Sequence, residues 1–72
     1  MATSEERKRR GHDIIRKYRP LCGNDNYAAA ADAIADILLS IAESEDEATQ
    51  ILHSAEIDYR TTAEGESFLA EG

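Results

Sequence analysis

Tyr27-Ala-Ala-Ala-Ala-Asp-Ala-Ile-Ala-Asp-Ile-Leu-Leu-Ser-Ile-Ala-Glu43 runs straight into Ser44-Glu-Asp-Glu47. This stretch decides the fold. Apolar residues recur at Tyr27, Ala31, Ile34, Leu38 and Ile41, a spacing of 4, 3, 4, 3, with Ile37 widening the stripe and Asp32, Asp36, Ser40 and Glu43 opposite. That period is the signature of an amphipathic helix. The alanine run Ala28–Ala31 has high helix propensity and little bulk, so another backbone can approach closely there. Ser44 with Glu47 three residues on is a capping box, and the acids of that first turn suit the positive end of a new helix.

The new helix is predicted from about Glu45 to Ala63. Ala48, Leu52, Ala55 and Tyr59 repeat the 4, 3, 4 spacing with Ile51 beside them, and Gly65 is the expected stop. Only one or two residues separate the two helices, which makes them antiparallel neighbours. The expected core is therefore an acidic αα-hairpin over residues 27–64, followed by a C-terminal tail over 65–72.

Working toward the N-terminus, residues 20–26 form a loop rich in Gly, Asn and Asp, and Asn24, Asp25 or Asn26 is placed to cap the helix that follows. Pro20 disfavours helix at Arg19 and so ends a shorter helix predicted from about Ser4 to Tyr18. Thr3 and Glu6 form its capping box. Its apolar content is thin, and residues 1 to about 10 are expected to fray without a partner. The fold class is all-α: a helical hairpin with a shorter N-terminal helix.

Charge divides the same way. Residues 1–19 hold seven of the eight basic residues and three acids, net +4, whereas residues 20–72 hold twelve acids and Arg60, net −11; the chain is −7. A chain of 72 residues is one domain at most. It buries about 60% of its unfolded surface, too little for a comfortable core. Leu39, Ile57, Phe68 and Leu69 fall off the stripes and are candidates for a second interface, so self-association, as a homodimer, is expected. One cysteine excludes a disulfide framework within the chain, the apolar runs are too short to span a membrane, and no export signal is evident, which together fit a cytoplasmic protein.

Chemistry-bearing groups are sparse. His12, Cys22 and His53 lack zinc-ligand spacing, and Gly23-Asn-Asp-Asn26 lacks that of a calcium loop, so no metal or other cofactor is expected. Cys22 reads as a small plug under the loop, and with no pocket implied the chain reads as a non-enzyme. Two surfaces remain. Asp32, Asp36, Glu43, Glu45, Asp46 and Glu47 form an acidic set that, with Leu39, Ile57, Phe68 and Leu69, suits docking on another protein, including a basic nucleic-acid-handling protein. Alternatively Arg7, Lys8, Arg9, Arg10, Arg16, Lys17 and Arg19 contact nucleic-acid phosphates.

The segments Asn26-Tyr-Ala-Ala-Ala-Ala-Asp-Ala-Ile-Ala-Asp-Ile-Leu-Leu39 and Ala48-Thr-Gln-Ile-Leu-His-Ser-Ala-Glu-Ile-Asp-Tyr59 resemble small uncharacterised helical proteins encoded by tailed bacteriophages, over roughly residues 26–66. The resemblance implies no catalytic residues. It implies a small factor that binds and alters a host protein, a group that includes counter-defence inhibitors such as anti-CRISPR proteins.

Overall fold

The computed structural model describes residues 3–71, with side chains for residues 3–65. Among them the chain is all-α, with helices α1 (Ser4–Tyr18), α2 (Asn26–Ile41) and α3 (Glu45–Glu71), a 3-10 turn at Arg19–Cys22 and no strand. The chain divides into two compact units, Met1–Ile41 and Ala42–Gly72.

In the first unit, α1 starts where its cap predicts: the Glu6 amide donates to Thr3 Oγ1 at 3.1 Å, with Glu5 and Glu6 in the first turn and Arg16 and Lys17 in the last. Both charge placements favour the helix dipole. The turns for which fraying was expected are helical from Ser4 onward, and Lys8, Gly11, His12, Ile14 and Ile15 share one groove with α2. Packing along this face supports a helix whose apolar content is otherwise thin. Pro20 stands at the start of the 3-10 turn, where its missing amide hydrogen costs nothing. Gly23 (φ +61°) and Asn24 (φ +61°) then turn the chain through two left-handed residues, the two residue types that tolerate that region best. Asp25 caps α2, its Oδ1 accepting from the Tyr27 amide at 2.9 Å.

The hairpin packing described by the structure is that of α1 on α2 through this connection. Its core is small. Ala29 is fully buried and Ala33 is 4% exposed, and these are the buried apolar residues among those described. Within this unit the bulky stripe is not the face that α1 covers. Tyr27, Ala31, Ile34 and Ile41 are exposed, and Leu38 is half-buried. Two helices that approach closely need small residues at the contact, so α1 lies on the alanine face and the bulky face is left outward.

In the second unit, α3 opens on its box as predicted, the Glu47 amide donating to Ser44 Oγ at 3.1 Å. Its end differs from expectation. Gly65 does not stop it, and the residues read as a tail continue the helix to Glu71. A glycine inside a helix costs about 1 kcal/mol relative to Ala but leaves the hydrogen-bond ladder intact, and no proline follows it. Among the described residues no helix is long and apolar enough to cross a membrane.

Candidate functional site

The alanine contact leaves a groove beside it. Ile14 and Ile15 on α1 and Ala30, Ala33, Ile34 and Ile37 on α2 line an open cavity of about 340 Å³, with Gly11 as bare backbone and Lys8 and His12 on the α1 wall. Ile14, Ile34 and Ile37 remain 44–48% exposed. A Cβ added at Gly11 would meet nothing within 4 Å, so space is open directly over that backbone. The surface is thus almost wholly apolar with one cationic edge. It can take up an apolar ridge of another molecule, but it offers few groups for proton transfer or nucleophilic attack.

A second cluster joins α2 to the end of α1 and the 3-10 turn. The half-buried Cys22 thiol lies 3.8 Å from Asp32 Oδ2. Partial burial pushes the thiol pKa up, and the negative charge of Asp32, the hydrogen bond to it, and the charges of Asp25 and Asp36 add to the shift. Tyr18 is hydrogen-bonded to Asp36, and this bond, partial burial and the charges of Asp36 and Asp32 raise its phenol pKa. A thiol held protonated is a poor nucleophile. Cys22 is therefore a hydrogen-bonded link to α2 rather than a simple apolar plug.

These contacts divide the predicted acidic set. Asp32 and Asp36 belong to the first unit and act within its hairpin, whereas Glu43, Glu45, Asp46 and Glu47 belong to the second, around the α3 start. Of the off-stripe apolar residues, Leu39 is 83% exposed on α2 and Ile57 is 51% exposed on α3. Phe68 and Leu69 fall on α3 with side chains outside those described.

The basic candidates lie on α1 and the turn after it. Arg9, Arg10, Arg16, Lys17 and Arg19 are exposed, Arg7 is half-buried, and Lys8 stands on the groove wall. Acids are interleaved with them: Glu6 and Asp13 share a shallow surface with Arg9 and Arg10, and Arg16 lies 3.7 Å from Asp13. No three potential metal ligands come together among the described residues. His12 lines the groove and His53 is exposed on α3.

The groove residues Gly11, Ile14, Ile15, Ala30 and Ala33 are the functional candidates that sequence reasoning missed. The signal for them was the low bulk of Ala28–Ala31 opposite a glycine-bearing helix. No family model, curated protein or solved structure matches the chain.

Proposed function

We propose that the chain is a non-enzymatic protein-binding module that takes a helix or apolar ridge of another protein into the α1–α2 groove. One observation carries this reading: Ile14, Ile34 and Ile37 stand nearly half exposed around an open apolar groove, in a hairpin whose own buried apolar residues are two alanines. Clustered apolar surface of that kind marks interaction sites. The lone thiol suits a reducing, cytoplasmic setting. Action on a host protein in the manner of a phage-encoded modulator, counter-defence inhibition included, rests on the sequence likeness of residues 26–66.

Gly11→Leu is the sharpest probe. It places a large side chain into open space over the groove and replaces a poor helix former with a good one, so folding is favoured while docking is blocked. Immobilised wild-type chain is expected to capture a protein that Gly11→Leu does not. Equal capture by both would place docking elsewhere, with the acidic residues Glu43, Glu45, Asp46 and Glu47 next to be tested. A nucleic-acid role is the second reading, favoured by the exposure of Arg9, Arg10, Lys17 and Arg19 on one short segment.

A further inference from the structure

We infer that the groove receives α3 of a second copy of this chain, each copy lending its α3 to the other's α1–α2 groove; the inference rests on the groove being the protein-binding site. Three observations converge on that occupant.

The first is charge. α1 carries six bases and three acids, whereas α3 carries eight acids and Arg60 as its single base. The cation on the groove wall, Lys8, belongs to α1. An acidic helix laid there meets a complementary field, while a second α1 would be repelled.

The second is the apolar pattern. Ala48, Leu52, Ala55 and Tyr59 alternate small and large along one side of α3. Leu52 is 45% and Tyr59 71% exposed, so both large residues of that stripe lack full cover. The groove supplies the complementary relief, with Gly11, Ala30 and Ala33 as its low points and Ile14, Ile34 and Ile37 as its high ones. This is helix-in-groove recognition, read through anchors about two turns apart.

The third is length. The groove runs from Lys8 to Ile15 on α1 and from Ala30 to Ile37 on α2. Each span is two helical turns, or about 10 Å, the same rise that separates Leu52 from Tyr59. Reciprocal exchange uses both grooves and both α3 helices, so assembly closes at a dimer.

Sedimentation of the full chain across protein concentration tests this. Wild type is expected to pass from monomer to dimer, and the dimer to weaken as salt rises from about 0.01 M to about 1 M and the screening length falls from about 30 Å to about 3 Å. Gly11→Leu and Leu52→Glu, each alone, are expected to weaken the dimer about tenfold or more. Mixed, they are expected to recover association, because one chain keeps a sound groove and the other a sound α3. Circular dichroism verifies that each is helical, and Tyr59→Ser replaces Leu52→Glu if that variant is not. A chain that stays monomeric at every concentration, or single variants that fail to complement, would overturn the exchange. In that event, capture of another protein by wild type but not by Gly11→Leu keeps the groove as a docking site. A dimer untouched by Gly11→Leu overturns the exchange as well, and leaves the groove to be judged by the capture test alone.

Discussion

At Cys22 a half-buried thiol meets a carboxylate, and both the loss of water and the negative charge of Asp32 oppose the thiolate. The protonated thiol and the protonated Tyr18 phenol are the forms that the fold favours. Because both pKa values are raised on folding, their contribution to stability is present in full below the ordinary values of 9.0 and 10.0. It is lost as pH rises through the raised ones. Alkylation of Cys22 is therefore expected to be slow at neutral pH. Asp32→Asn removes the charge but leaves the desolvation, so the alkylation–pH profile is expected to move partway back toward the ordinary thiol range. An unmoved profile would show that Asp32 does not act on the thiol. Contacts at this scale were legible in the sequence only where they are local. Thr3, Asp25 and Ser44 each cap an amide two or three residues away, which a capping motif encodes directly. Cys22 and Asp32 are ten residues apart, and their meeting depends on the turn that Gly23 and Asn24 make.

The helices show the same division. Starts and types were readable, because Pro20, Asp25 and the Ser44 box act on the backbone beside them. The buried face of α2 was not readable from its bulky periodicity. A stripe of Tyr, Ile and Leu says that a helix has an apolar side, but close approach of a neighbour selects for small size, and α1 settles on Ala29 and Ala33. The two faces make opposite predictions. Ala33→Leu forces a branched side chain into the helix contact and is expected to cost about 1–3 kcal/mol in denaturant unfolding. Ala31→Leu, on the exposed stripe, is expected to change stability by less than about 0.5 kcal/mol. Equal costs would mean that α1 does not select the alanine face. α3 adds a lesson about glycine: Gly65 looked like a stop, yet a stop also needs a following residue that favours leaving the helix, and Glu66-Ser-Phe-Leu-Ala-Glu71 favours staying.

Across the whole chain, the sequence made the charge asymmetry plain but not how each charge is answered. The +4 of residues 1–19 reads as a basic arm when counted along the chain. Wound into α1, the same residues alternate with acids: Glu6 and Asp13 stand among Arg9 and Arg10, and Arg16 lies beside Asp13. Phosphate binding gains affinity with each phosphate neutralised, and the logarithm of affinity falls with the logarithm of salt by about 0.9 for each contact. A face that already answers part of its own charge offers few such contacts, and the net −7 of the chain repels a polyanion at longer range. The full chain is therefore expected to give no gel retardation of duplex DNA at about 0.15 M salt, where charges farther apart than about 8 Å are largely screened. Glu6→Gln with Asp13→Asn is expected to create retardation at low salt by unmasking Arg9, Arg10 and Arg16. Retardation by wild type that survives at about 0.15 M salt and vanishes in Arg9→Glu with Arg10→Glu would reverse the order of the two readings. It would make α1 a nucleic-acid contact and leave the groove as a structural consequence of packing a basic helix on alanines.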